Sequence, residues 1–241
     1  MVGHAAGVSN YTSLIRYIEE FRQSDEPVIL ITFNYDTLIE RALSLHFNDF
    51  KFRATNDYVR RPTYKLFKLH GSVNWGHPIE GDARIDVHQT DEHLRNAIID
   101  LADNIHYQDD QVVVLDEPNV RVNDFLYLPA ISIPVQQKSR FSCPQEWLPR
   151  LDSSLDGVSN LLVIGWRAGE EHFLERVVPV LNKNAGFHLG VVSHTATSAN
   201  ETQIRLRGAG LKHAQESSLF GGGFTNFISS DGVKNFLRRR W

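Results

Sequence analysis

The chain has 241 residues, of which 41% are hydrophobic and 22% are charged, and its formal net charge is -4. These proportions are typical of a soluble globular protein and exclude a disordered or fibrous chain. The acidic balance provides no general excess of positive charge for phosphate neutralisation, so we predict no nucleic-acid partner. No apolar run approaches the ~18 residues needed to span a bilayer, so no membrane partner is predicted either.

Cys143 is the only cysteine, which excludes an internal disulfide and a zinc ribbon built from four cysteines. Chains without disulfides are typical of reducing compartments. The N-terminus lacks the basic region and apolar segment of a secretory signal. We therefore predict a cytoplasmic protein.

The first part of the chain predicts a helix, a strand and a second helix. Apolar residues recur at helical spacing over Asn10–Arg22, and a continuous, largely β-branched run follows at Val28–Phe33. Such a run suits a parallel strand that is covered on both faces. The helical period returns over Tyr35–Leu45, and a second apolar run at Tyr64–Leu69 predicts the next strand.

The rest of the chain continues the alternation after an acidic segment at residues 74 to 125. We predict that this segment is a small helical insertion, with a helix over residues 94 to 105 and a short strand at Val112–Leu115. Beyond it, we predict strands at Phe125–Ile133, Asn160–Trp166 and His188–Ser193. Helices are predicted at Trp147–Leu155 and Glu170–Leu181. The chain then continues with a polar stretch at Thr195–Thr202, a short helix, a turn at Gly221–Gly223 and a last helix near Val233–Arg239. Strands alternating with helices predict a single α/β domain over residues 1 to 241, with a Rossmann-like parallel sheet flanked by helices.

Polar side chains stand where the first two predicted strands end. Asn34 and Asp36 follow the first strand, and His70 follows the second. Because open α/β sheets bind ligands at the carboxyl ends of their strands, we expect these three side chains to face one crevice. Each residue alone also has a structural interpretation: Asn34 or Asp36 can cap the next helix, and a single histidine is often part of the packing.

Three motifs together resemble the sirtuin-like family: Thr32-Phe33-Asn34-Tyr35-Asp36, Leu69-His70-Gly71-Ser72 and Val163-Ile164-Gly165. The resemblance is closest to the bacterial branch that consumes NAD and lacks the zinc module of the deacetylases. The segment Leu128–Lys138, followed by Trp147, matches a stretch with proline and then lysine in the same proteins. The resemblance covers roughly residues 10 to 235.

The resemblance implies that NAD is a substrate, that no metal ion is required, and that NAD is hydrolysed to nicotinamide and ADP-ribose. It further implies a role in bacterial defence through NAD depletion. By position in the motifs, His70 is the expected catalytic base, and Asn34 and Asp36 are expected to orient the departing nicotinamide. The residues expected to bind NAD are Thr32, Asn34, Asp36, Gly71, Gly165 and Ser193. Trp166-Arg167 departs from the family, which usually has serine or threonine after the glycine.

The resemblance has one gap, and it keeps other functions open. The family opens with a strand followed by Gly-Ala-Gly-x-Ser, whose amides hold the pyrophosphate. Met1–Gly7 has two glycines but no strand before them. We therefore expect either that the first strand and its turn are missing, or that an upstream segment or a partner protein supplies them. A catalytically silent nucleotide-binding or assembly module is therefore one alternative, and an NAD-dependent protein deacylase is another, although the zinc cysteines are absent. The predicted partners are NAD or ADP-ribose, with a protein partner or a homo-oligomer left open.

Overall fold

The computed structural model folds into two compact units. Unit A comprises Pro27–Glu40 and Asp49–Arg150, and unit B comprises Met1–Glu26, Arg41–Asn48 and Leu151–Trp241. The structure describes residues 9–80, 89–100, 106–108, 111–116, 121–122, 125–131, 141–184, 186–212 and 214–238. Residues 1–7, which include the two N-terminal glycines, and residues 134–138 of the proline and lysine stretch lie outside the described residues.

Unit A contains a two-stranded parallel sheet formed by β1 (Val28–Thr32) and β2 (Tyr64–Lys68). Their register pairs Thr32 with Lys68, so the two strands end level with each other. Helix α2 (Leu38–His46) begins shortly after β1. Because the strands are parallel, the residues that follow them emerge at the same edge of the sheet.

A second sheet in unit A is antiparallel and has the strand order β4-β3-β6-β5. Its strand β3 (Gly71–Pro78) begins directly after His70. The other elements are β4 (Val113–Val114), β5 (Arg121–Val122), β6 (Phe125–Ile131), α4 (Asp91–Asp100) and α5 (Trp147–Ser154). Leu94 and Ile98 of α4 pack with Leu126 of β6, which covers part of this sheet with a helix.

Aromatic rings form a core in unit A that includes residues of β2, β3 and α3 (Thr55–Val59). Trp75 and Trp147 are both 1% exposed, and their ring centroids are 5.4 Å apart. Tyr58 and Phe67 meet the same pair edge to face, at 5.2 Å from Trp75 and 5.8 Å from Trp147 respectively. Such pairs contribute about 0.5–1.5 kcal/mol each beyond the area they bury. The cluster therefore fixes the strand that leads to His70.

Unit B contains a three-stranded parallel sheet in the order β7-β8-β9. Its strands are β7 (Asn160–Ile164), β8 (Phe187–Val192) and β9 (Ala214–Phe220), and its helices include α1 (Asn10–Phe21), α6 (Glu171–Leu181), α7 (Ala196–Gly208), α8 (Gly223–Ser229) and α9 (Gly232–Leu237). The central strand β8 is buried along its whole length, as its apolar sequence requires. Leu14, Val192, Phe227, Val233 and Phe236 form the core on one side.

The predicted class, α/β with parallel sheets flanked by helices, is confirmed. Strands β3, β5 and β9 and helices α3 and α8 were not predicted, and most of the polar stretch at Thr195–Thr202 belongs to the first half of α7. The single domain and the insertion at residues 74 to 125 stay predictions. Among the described helices, none is long and apolar enough to cross a membrane.

Candidate functional site

The loop between β1 and α2 carries the first group of candidate residues. Thr32 ends β1, and its hydroxyl oxygen accepts a hydrogen bond from the backbone N–H of Asn34 at 3.0 Å. Asp36 Oδ1 accepts from the backbone N–H of Leu38 at 3.0 Å, so this carboxylate caps the start of α2. Asn34 is exposed and Asp36 is partly exposed. The loop is thus shaped by its own side chains, and both candidates remain accessible from solvent.

His70 lies against this loop. Its ring centroid is 4.9 Å from that of Phe33 and 6.4 Å from that of Tyr35, the two residues that flank Asn34. His70 is 7% exposed, so the aromatic contacts hold its ring plane and leave only a small part of it open to solvent. The predicted meeting of the two strand ends is therefore present in unit A, with the imidazole beside the loop that carries the amide and the carboxylate.

Gly71 has a structural reason to be glycine. Its φ is +85°, a conformation that side chains rarely adopt. An added Cβ would lie only 1.9 Å from the carbonyl oxygen of Ala130 on β6. The backbone that approaches Gly71 closely is thus that of the neighbouring strand, and this contact explains the glycine without a ligand.

A buried ion pair stands beside the loop, and the sequence did not predict it. Lys68 Nζ lies 2.9 Å from Glu40 Oε1, and the two side chains are 0% and 7% exposed. Burial raises the pKa of Glu40 above its ordinary range, and the Lys68 ammonium opposes this rise. Lys68 also donates a hydrogen bond to the backbone carbonyl of Asp36. The only signal in the sequence was a second lysine, Lys68, at the end of a strand that also contains Lys65.

The remaining candidates, Gly165 and Ser193, lie in unit B. Gly165 follows β7 with φ +65°, and its N–H donates to the Val192 carbonyl at 2.9 Å. Ser193 follows β8, and its hydroxyl accepts from the Ser198 hydroxyl at 2.8 Å. Both stand at the carboxyl edge of the β7–β9 sheet, where α/β proteins place ligands. Trp166, the departure noted after Gly165, donates its indole N–H to Glu170.

The site in unit A combines three polar groups: the amide of Asn34, the carboxylate of Asp36 and the imidazole of His70. Within the described ranges, no group of three or more His, Cys, Asp or Glu side chains is placed to hold a metal ion. The three groups of unit A can donate to a carboxamide, accept from one, stabilise a developing positive charge and accept a proton.

The comparison with known families identifies the chain. A family described as the SIR2-like domain matches residues 28–213, well over half of the sequence. The chain belongs to the SIR2-like family. Membership confirms the sirtuin-like resemblance and indicates an NAD-related function, since the family uses NAD. No curated protein matches the chain significantly. The matched range includes all six candidate NAD-binding positions, from Thr32 to Ser193.

Proposed function

We propose that this SIR2-like chain binds NAD at the edge of the β1–β2 sheet and hydrolyses it to nicotinamide and ADP-ribose. One observation carries the proposal: the His70 ring lies 4.9 Å from the ring of Phe33, directly beside the loop of Asn34 and Asp36. Family membership supplies the substrate class, and this juxtaposition supplies the chemical groups.

The reaction breaks the bond between the nicotinamide nitrogen and C1′ of the ribose. The bonding electrons leave with nicotinamide, which becomes neutral, and positive charge develops on the ribose. The carboxylate of Asp36 favours that charge, and its capping bond to Leu38 uses Oδ1, so Oδ2 can serve this purpose. Asn34 offers a donor and an acceptor to the departing carboxamide. Water then bonds to C1′, and His70 accepts the proton that the water loses.

The packing of His70 suits the role of a general base. Phe33 and Tyr35 restrict the ring, so the nitrogen that receives the proton is held in a defined direction before substrate arrives. A positioned base of this kind contributes a rate factor on the order of 10²–10⁴.

Nicotinamide release from NAD tests the proposal directly. The assay compares the wild type with His70→Ala and Asn34→Ala, and uses His106→Ala as a matched control because His106 is an exposed histidine of the same unit. We expect His70→Ala to lower kcat by about 10²-fold or more, as for loss of a general base, and His106→Ala to leave it unchanged. Absence of turnover in the wild type, or equal turnover in wild type and His70→Ala, contradicts the proposal.

A catalytically silent nucleotide-binding module is the second candidate. The observation that favours it is the hydrogen bond from the Leu38 amide to Asp36, because helix capping alone accounts for this carboxylate. Calorimetric titration of the wild type with NAD and ADP-ribose separates the two functions. Binding of either ligand without nicotinamide release supports the silent module.

We extend the first proposal to bacterial defence through NAD depletion, on the strength of family membership. Expression of the wild type in bacterial cells should then lower cellular NAD and arrest growth. Expression of His70→Ala to the same level should do neither. Normal NAD levels in cells that express an active wild-type enzyme contradict this extension.

A further inference from the structure

Residues of β2 and β3 donate hydrogen bonds to two successive carbonyl groups of the loop that carries Asn34 and Asp36. The Tyr35 carbonyl accepts from the backbone N–H of Val73 at 2.9 Å and from the Ser72 hydroxyl at 3.1 Å. The next carbonyl, that of Asp36, accepts from the Lys68 ammonium. Lys68 precedes His70 by two residues, so one lysine links the loop to the strand that delivers the imidazole.

Lys68 is itself held by a chain of buried polar groups. Glu40 Oε1 pairs with the ammonium at 2.9 Å and accepts from the Tyr58 hydroxyl at 3.3 Å. The Tyr58 oxygen in turn accepts from the Trp75 indole N–H at 3.2 Å. Burial and the Glu40 charge raise the pKa of the Tyr58 phenol, so it remains a donor. The lysine is therefore fixed from the aromatic core of unit A.

The arrangement is costly as a means of stability alone. Glu40 Oε2 is buried without a hydrogen bond among the described residues. Buried ion pairs can often be replaced by apolar side chains with no loss of stability, and sometimes with a gain. What apolar residues cannot replace is the directed hydrogen bond to the Asp36 carbonyl, which sets the direction of the peptide that carries the candidate carboxylate.

We propose that Lys68 is a positioning residue, whose ammonium, held by Glu40, fixes the Asp36 peptide and so aims Asn34 and Asp36 at the ligand beside His70. This inference rests on the proposed function for its catalytic consequence. The restraint on the loop itself follows from the hydrogen bonds of Lys68, whatever ligand the loop meets.

The test uses Lys68→Met and the double variant Glu40→Gln/Lys68→Met. The single change leaves Glu40 without its cation, and this can unfold the protein. The double change removes both charges, so we expect it to keep the fold while it deletes the bond to Asp36. Lys65→Met is the matched control, because Lys65 is a half-buried lysine of the same strand.

Two measurements are made on each folded variant. The first is amide hydrogen exchange at Asn34, Leu38 and Val73, which reports the order of the loop whether or not NAD is the ligand. The second is nicotinamide release, analysed as kcat and KM. We expect the double variant to exchange these amides at least tenfold faster, and to lose about 10²-fold in kcat with little change in KM, because a small misplacement of reacting groups costs about this factor.

The outcomes separate the two proposals. If the wild type releases no nicotinamide, the proposed function fails, and hydrogen exchange alone decides the role of Lys68. Exchange as slow as in the wild type overturns the inference, and so does turnover within threefold of an active wild type. Failure of the double variant to fold also overturns it, since the pair would then serve the fold itself. Lys65→Met should match the wild type in both measurements.

Discussion

Replacement of Gly71 by alanine gives the sharpest stability prediction, since two separate costs can be read from the geometry. The first is conformational, because φ +85° costs an L-residue about 1–2 kcal/mol. The second is steric: the new Cβ would stand 1.9 Å from the Ala130 carbonyl oxygen, whereas ordinary contacts begin at 3.4 Å. Strands β3 and β6 would have to separate by about 1.5 Å, the difference between these two distances. Overpacking of this kind costs about 1–3 kcal/mol, and a lost ladder hydrogen bond costs about 1 kcal/mol more.

We therefore expect Gly71→Ala to lower the free energy of unfolding by about 3–6 kcal/mol. Urea unfolding followed by circular dichroism measures it, because this signal reports both unit A, which contains Gly71, and unit B, which contains the control position. Gly157→Ala is the control, because Gly157 has φ +75° and nothing lies within 4 Å of an added Cβ. It should cost about 1 kcal/mol, and the change in unfolded-chain entropy is common to both variants. Equal costs for the two variants would refute the role assigned to the Ala130 contact.

Two further predictions concern Glu40 and Gly165. Burial raises the pKa of Glu40 above its ordinary value of 4.5, so the folded protein holds this proton more tightly than the unfolded chain does. The resulting gain in the free energy of unfolding is fully present below pH 4.5 and is lost as the pH rises through the raised pKa. Glu40→Gln should remove this fall from the pH profile of the unfolding free energy, and an unchanged profile would contradict the burial argument. Gly165→Ala, with φ +65° and open space around the added Cβ, should cost about 1 kcal/mol in stability. A tenfold loss of ADP-ribose affinity in calorimetry would support a ligand contact at Gly165, and unchanged affinity would remove it from the site.

The strands that the sequence predicted are those whose local pattern agrees with their environment. Phe187–Val192 is buried along its whole length, as a parallel strand covered on both faces requires, and Val28–Thr32 is an apolar run that is mostly half-buried. Strand β3 (Gly71–Pro78) contains two glycines and a proline, so its extended conformation depends on pairing with β6. Strand β9 (Ala214–Phe220) is mainly polar and lies at the edge of its sheet. Tertiary pairing overrides propensity in both, and no local pattern reports it.

The candidate site was predictable to the same extent. The meeting of Asn34, Asp36 and His70 follows from two successive parallel strands, whose ends must share an edge. The capping bond of Asp36 is also local, and was foreseen as its structural alternative. The pairing of Lys68 with Glu40 was not predictable, because it joins two segments whose packing depends on the whole of unit A.

His70 lies in the two-residue turn between β2, which ends at Lys68, and β3, which begins at Gly71. The imidazole is therefore attached to the antiparallel sheet by a single peptide unit, while its ring leans on the aromatic side chains that follow β1. Because only two residues separate β2 from β3, a tilt of β3 relative to β2 would also displace the ring. A change in the position of β3 would therefore also move the His70 ring, without any contact to the ring itself.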